Sequence, residues 1–439
     1  MDLKYDLNAI SQITNRSVLL YKESQSYHYV QPSSETAEDL NQDGNIDFIC
    51  NLTSSKYDLF DSGLLIEGQF QQRLTQGTAE EQTWKAVTDN ITLENNALLR
   101  IFKEMSLKSS ADTEIEKVSH PGEVSNISQF TLKEYNYINS EGNLGLFIPD
   151  IGTGDHTNSS HTKRKNIMNG ANFQCILPLD NVFGFFTYVR NSFSNNQITL
   201  TVIRDFQSTA KLNNLLFGNG LTAHAEFRIR LSKLRWMIPM TKLNTSGTLD
   251  YDKQLTKKID YKFLTNKCEF KQVPVGQETN IPLGVINANV HEIFIVFKEP
   301  TKTNLINNSK YIQKYGNEKL TNISIDIGGV LYPPSGTPLN FDIDMNQQAH
   351  LYKMYLSFVK YKNQINEPML SWDDFKNLYT IIPFDFSAQD SSFLNKQTSI
   401  SINLTKTNNF IPDMYVLMKL EKSIIFDFME DKTAVLSLK

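Results

Sequence analysis

Residues Ala171–Arg190, ANFQCILPLDNVFGFFTYVR, and Ala225–Met240, AEFRIRLSKLRWMIPM, carry the reading on which the fold turns. The first is a strand-like run that breaks at a Pro-Leu turn into an aromatic cluster of Phe183, Phe185, Phe186 and Tyr188. The second is a long strand that ends on Arg235-Trp236. Its apolar parity runs through Phe227, Ile229 and Leu231 and then switches to Leu234 and Trp236. Side chains alternate between the faces of a sheet, so a parity switch inside one run predicts a β-bulge near Ser232-Lys233.

Outward from these stretches, short alternating runs separated by polar turns continue from about residue 46 to the end of the chain. Ile198, Leu200 and Val202 alternate with threonines, and Ile323, Ile325 and Ile327 alternate with Ser324 and Asp326. Ile400, Ile402 and Leu404 repeat the pattern, as do Ile424, Phe426 and Phe428. One apolar and one polar face per strand is what a sheet covering one side of a sandwich requires. His291–Lys298, HEIFIVFK, is apolar on both faces and is expected to be a central strand. Helical pieces are few. Leu351, Tyr355 and Phe358 lie on one helical face, and Ser371-Trp372-Asp373-Asp374 has the form of a helix N-terminus, with Phe375 and Leu378 behind it. The polar, turn-rich Thr241–Asp252 marks a domain boundary, and no sequence repeat relates the two halves.

A chain of 439 residues suits two domains, each able to close its own core. With 40% hydrophobic and 21% charged residues, the composition is that of a globular protein, and no run approaches the length of a membrane-spanning helix. The first residues lack a basic region followed by an apolar core, so the protein is expected to be made and kept in the cytosol or nucleus. Three cysteines without CxxC spacing read as reduced and buried. A net charge of -5 disfavours strong direct nucleic-acid binding by the folded body. All nine arginines lie at or before Arg235.

No catalytic constellation emerges. His291-Glu292 begins an HExxH pattern but has Ile at position 295, and its run is β-patterned. Gly152-Thr153-Gly154 lacks a third glycine, and Asp342-Ile343-Asp344 stands in an alternating run. Asp39–Cys50, DLNQDGNIDFIC, matches a calcium loop at Asp39, Asn41, Asp43, Gly44 and Asp47, but has Cys50 where a bidentate acid is needed. An Asp-Gly turn feeding a strand over Ile46–Cys50 is preferred. His161–Lys165, HTKRK, is the one dense basic run and reads first as a solvated loop.

Several blocks in order resemble the double jelly-roll major capsid proteins of adintoviruses and Maverick/Polinton elements. They are Ser54–Gly68 (SSKYDLFDSGLLIEG), Asn90–Ile101 (NITLENNALLRI), the run of Ile176, Pro178, Leu179, Val182, Phe183, Gly184 and Phe185, then Trp236 with Pro239. Trp372–Lys376 followed by Ile382–Ser387 is similar to a late helix and strand of that family. The resemblance spans residues 50–430. It implies an all-β fold of two consecutive jelly rolls with a few short helices, divided at the boundary above into 46–243 and 244–439; residues 1–45 match nothing in the family and are read as an N-terminal arm peculiar to this protein. Periodicity alone leaves Asn95–Met105 open between a strand and a short helix, and the resemblance places a strand there; the long polar insertions Gln71–Thr88, Asn136–Asn169 and Pro300–Lys319 are candidate loops.

The implied function is that of a major capsid protein, without catalytic residues, cofactor or metal. Its partners would be two further copies in a trimeric, pseudo-hexagonal capsomer, then neighbouring capsomers of an icosahedral shell, with penton and minor capsid proteins. It would reside in the virion after synthesis in the host cytoplasm and assembly in the cytoplasm or nucleus. Phe183, Phe185, Phe186, Arg235, Trp236, Trp372 and Phe375 are read as packing anchors. The rival reading is a carbohydrate-binding or adhesin module of paired sandwiches with calcium at Asp39, Asn41, Asp43 and Asp47. A domesticated relative that keeps the fold and forms no virion is a third.

Overall fold

The computed structural model describes residues 22–436 apart from 34–38, 53–55, 110–112, 153–156, 171, 191–192, 194–195, 205–214, 220–221, 246–257, 301–309, 316, 334–338, 341–346, 388–397 and 428–431. Linker positions 246–252, Phe428, Gly154 and Asp342–Asp344 therefore lie outside the described residues.

Eight principal strands build the first sandwich: β1 (Lys22–Val30), β2 (Gly44–Leu52), β3 (Gly63–Leu74), β4 (Phe102–Ser109), β5 (Glu114–Ser119), β6 (Phe173–Pro178), β7 (Asn196–Arg204) and β8 (Ala225–Leu243). They form two antiparallel sheets ordered β1-β8-β3-β6 and β2-β7-β4-β5. The second sandwich follows with β9 (Ile259–Gln272), β10 (Glu278–Ile286), β11 (Val290–Lys298), β12 (Glu318–Ile327), β13 (Val330–Tyr332), β14 (Ile382–Asp385), β15 (Thr398–Lys406) and β16 (Asp413–Asp427). Its sheets run β9-β16-β11-β14 and β10-β15-β12-β13. Each strand thus has a counterpart eight strands later in the same place. Both halves are jelly rolls of one topology, a duplication in space that the sequence does not repeat.

The alternating runs became these strands because one parity is apolar throughout. Ile198, Leu200 and Val202 on β7 are fully buried, as are Ile323 and Ile325 on β12. HEIFIVFK lies in β11, between β16 and β14, with Ile293–Val296 inaccessible. The predicted bulge is present: in the pairing of β8 with β3, Leu231 faces Gly68 and Lys233 faces Glu67, which leaves Ser232 extra. Leu234, Trp236 and Ile238 then continue the buried face.

Six helices enter below: α1 (Ala97–Arg100), α2 (Pro121–Leu132), α3 (Ser159–Met168), α4 (Gly184–Tyr188), α5 (Ala349–Leu356) and α6 (Trp372–Asn377). Four of them sit in equivalent places, α2 and α3 between β5 and β6, α5 and α6 between β13 and β14. The Ser371 hydroxyl caps α6 by accepting from the Asp374 amide at 3.1 Å.

Four expectations need correction. Residues 22–30, assigned to the arm, form β1, which pairs with β8 from Lys22↔Leu243 to Val30↔Trp236. Asn95–Met105 is not one strand, because Asn96 adopts a left-handed φ of 58° and its side-chain amide donates to the Gly122 carbonyl. That turn starts α1, and extended chain resumes only at Phe102. The Phe183–Tyr188 cluster forms the short helix α4 after β6 ends at Pro178. The HTKRK run lies on α3, with His161 and Arg164 buried, and Asn136–Asn169 is in part helical.

Trp236 is fully buried, and its indole N–H finds no acceptor among the described residues. Trp236→Ala should lower stability by about 3–5 kcal/mol in urea unfolding, through the cavity it leaves. Trp236→Phe should cost clearly less, since it retains an aromatic ring and removes an unpaired donor.

Candidate functional site at the junction of the two sandwiches

The described residues that sequence reasoning singled out do not converge on a cleft. Clusters of buried polar side chains lie instead where the two jelly rolls meet. There β5, the outer strand of one sheet, runs beside β9, the outer strand of another, with no backbone ladder between them. The buried Glu116 carboxylate on β5 spans the gap. It accepts from the backbone amides of Gly184 at 3.0 Å and Phe185 at 2.8 Å, the first turn of α4, and from Asn266 of β9 at 2.7 Å. The Asn266 side chain returns a bond to the Val182 carbonyl at 2.8 Å. Burial pushes the Glu116 carboxyl above its ordinary pKa, and those amides together with Thr265 work against that rise. Position 184 accommodates only glycine, because a Cβ there would overlap the Leu264 carbonyl oxygen of β9.

Aromatic rings close the same junction. Phe183, Phe185 and Phe186 are fully buried. The Phe185 ring lies 5.2 Å from Phe263 on β9 and 6.1 Å from Phe426 on β16. Phe193 packs on Tyr261 at 5.6 Å and on Phe426 at 5.5 Å. Rings from the first roll are thereby inserted among rings of the second, which accounts for aromatics beyond the needs of two separate cores.

A second polar cluster stands at the start of α2. Glu123 accepts from Lys298 of β11 at 2.9 Å and from the Tyr311 hydroxyl at 2.9 Å, and lies 3.3 Å from Arg100, which also pairs with Glu94. Asn126 donates to Tyr311 at 2.6 Å and accepts from Asn95 at 2.9 Å. Burial opposes the charge on Glu123, but Arg100 and Lys298 outweigh it and hold the carboxyl near a pKa of about 2. Lys298 is pushed down to about 8, first by burial and then by the like charge of Arg100. Further along, Arg164 is wholly buried, with bonds to the Asp150 carboxylate at 2.7 Å and to the Leu93 and Ile148 carbonyls. The Asp150 amide donates to Tyr379 Oη across the junction at 2.9 Å. Neither Glu116 nor Arg164 stood out in the sequence. Their sole signal was a charged residue on an apolar strand or amid a basic run.

The remaining sequence candidates are placed as follows. Trp372 is half-buried and packs edge-on to Tyr352 at 5.2 Å, while Phe375 is buried at 5.2 Å from the same ring. Arg235 points away from the core that holds Trp236. In the Asp39–Asp47 loop, Asn41 forms two bonds of 2.8 Å with the Leu231 backbone, in the manner of a strand partner. Asp47 accepts from Thr201 at 2.5 Å, and Asp43 is exposed. Two of the four proposed calcium ligands are thus committed to protein partners, and the loop clasps the free edge of β8. His291 Nε2 lies 3.4 Å from Glu421, and Glu292 pairs with Lys362 and Lys419. Among the described residues no three His, Cys, Asp or Glu side chains group as metal ligands. Burial raises the thiols of Cys50 and Cys175 to about 12, far from a reactive thiolate. No described helix is long and apolar enough to cross a membrane.

A family model described as a double jelly roll-like domain matches residues 91–418. Among solved structures, a chain of the Sputnik virophage aligns over 94% of this chain and 89% of its own, with a TM-score of 0.61 and 10% identity. The mavirus major capsid protein aligns over 94% and 90%, with a TM-score of 0.55 and 11% identity. The Faustovirus major capsid protein gives 92% and 90%, with a TM-score of 0.53 and 9% identity. Likeness at such identities is likeness of fold. No curated protein matches the chain.

Two outcomes follow from the junction. Glu116→Ala leaves three backbone amides without their acceptor, so exchange at Gly184, Phe185 and Asn266 should accelerate at least tenfold in amide hydrogen-exchange mass spectrometry, ahead of the strands inside either sandwich. The depressed Glu123 carboxyl contributes stability in full above its unfolded value of 4.5 and loses it as the pH falls toward 2. Acid titration of unfolding should therefore show a loss of up to about 3 kcal/mol across that window, absent from Glu123→Gln.

Proposed function

The chain belongs to the double jelly-roll-like domain family, and from that premise we propose that it is a viral major capsid protein whose work is self-association. The observation that carries the reading is the pair of jelly rolls of identical strand order, locked side by side by a buried polar and aromatic junction. A rigid two-lobed subunit is what a pseudo-hexagonal tile needs: three copies present six similar lobes, and exposed turns such as Thr75–Glu80 can vary without disturbing either core. The capsid proteins among its structural relatives support the reading, as do the burial of the three thiols and the pairing of Glu292 with Lys362 and Lys419.

On this reading the subunit forms a homotrimeric capsomer, capsomers tile an icosahedral shell, and penton and minor capsid proteins complete it. The order of sequence blocks favours the adintovirus or Maverick/Polinton lineage. The protein carries no catalytic centre and resides in the virion, after synthesis in the host cytoplasm and assembly there or in the nucleus. The two rolls are assigned to residues 46–243 and 244–439, with β1 as an N-terminal strand added to the first.

Negative-stain electron microscopy and mass photometry of the purified protein test this. Trimers with a pseudo-hexagonal outline, or shells built from them, are expected. A monomer at high concentration under varied salt and pH would overturn it.

A further inference from the structure

The sheet β1-β8-β3-β6 has one face in the core of the first roll and the other turned outward, and that outward face has an unusual composition. Parity places Arg228 and Arg230 of β8, Arg73 of β3 and Tyr27 and Tyr29 of β1 on it. Trp84, from the connection after β3, lies against the same face with two guanidinium groups on its indole. Arg73 Cζ is 4.6 Å and Arg228 Cζ 4.2 Å from the ring centroid. With Arg235, this one face holds four of the nine arginines in the chain.

Their partners leave charge in excess. Arg73 is paired with Glu226 at 2.8 Å. Arg228 spends its Nε on the Gln71 side-chain oxygen at 2.7 Å, a neutral acceptor. Arg230 is exposed and makes no hydrogen bond or ion pair among the described residues. Tyr27 and Tyr29 are 53% and 46% exposed, more than ordinary surface tyrosines in a monomer need be. A half-buried tryptophan, exposed tyrosines and arginines with guanidinium forks left open are the residue types that dominate the energetics of protein contacts. Stacking on the indole pre-orders the two guanidiniums and lowers the entropic cost of engaging a carboxylate.

We propose that this outward face is a subunit contact, and that its occupant is a second copy of the same chain, which offers carboxylates to Arg228 and Arg230. The charge distribution argues for that occupant. Residues 1–243 hold 22 Lys and Arg against 27 Asp and Glu, and residues 244–439 hold 21 of each, so a cationic face sits on an otherwise acidic or neutral body. Outside this face the first half is therefore acidic, and a neighbouring copy offers the complementary sign there. The inference rests on the proposed self-association and assigns to it a surface.

The test compares the wild type with Arg228→Glu/Arg230→Glu and with Arg230→Glu alone in sedimentation velocity, with thermal unfolding and a heparin column alongside. Arg230→Glu removes no hydrogen bond or ion pair among the described residues, so it keeps the experiment interpretable if the double variant misfolds. Expected is a wild-type oligomer whose dissociation constant rises at least tenfold in Arg230→Glu and further in the double variant, with the unfolding midpoint of Arg230→Glu unchanged. If all three proteins assemble alike, the surface assignment is overturned and the capsid reading stands. If the wild type is a monomer throughout, both fall. If assembly is unaffected while heparin retention is lost in the variants, the face serves a polyanion and the inference is likewise overturned.

Discussion

Two outer strands cannot lie side by side in a protein interior unless the backbone groups between them find partners, and at the junction of the jelly rolls Glu116 meets that requirement. Its carboxylate takes amides from α4 and from β9 at once, so a single side chain joins an edge of one sandwich to an edge of the other. A carboxylate is suited to the task because it only accepts, and it can satisfy several N–H groups without needing a donor's counterpart. Burying it is costly, and the cost is met only while α4 and β9 both remain in place. That condition makes the arrangement of the lobes specific. Gly184 adds a steric half to the same device, since the approach of β9 to α4 leaves no room for a side chain.

The polar clusters further along the junction use different chemistry toward the same end. Glu123 is shared by two cations and a tyrosine hydroxyl, whereas Arg164 is held by one carboxylate and two backbone carbonyls. The connections that carry α2 and α5 meet there as well, with the Tyr355 hydroxyl donating to the Phe130 carbonyl at 2.8 Å. Equivalent connections of two duplicated folds have thus become each other's packing partners. Directional bonds at three separate places resist both sliding and rotation, which a purely apolar contact of the same area would permit.

The strands that build each sheet were legible because their information is local. The period-two pattern of β7, β12 and β15, the two-sided apolar run of β11 and the parity switch in β8 each need only neighbouring residues to be read. What sequence reading missed depends on residues far along the chain. Asn96 turns the chain toward Gly122, 26 positions away, and α4 forms where β9, some 80 positions on, meets its first turn. The strand β1 escaped notice because KESQSYHYV has few apolar residues and owes its conformation to pairing with β8. The Arg164 site was hidden inside a basic run, whose appearance as a solvated loop follows from composition and not from the helix that buries every third or fourth residue of it.

The duplicated topology without a repeated sequence follows from how little a jelly roll asks of its residues. Alternation, strand length and turn placement specify the order of strands, and many sequences satisfy all three. The junction asks for much more, and it asks different things of the two halves. The first roll supplies Glu116, Gly184 and the Phe185 ring, while the second supplies the amide of Asn266 and the aromatic pocket of Tyr261, Phe263 and Phe426. Two halves bound to play complementary parts at one contact are held to different residues even while their strand order stays the same. Separated, each would expose what the contact covers: the first its ring cluster, the second the outer flank of a 14-residue strand, the kind of unprotected edge that invites aggregation. The pair of rolls, more than either one, is therefore the unit that the sequence specifies.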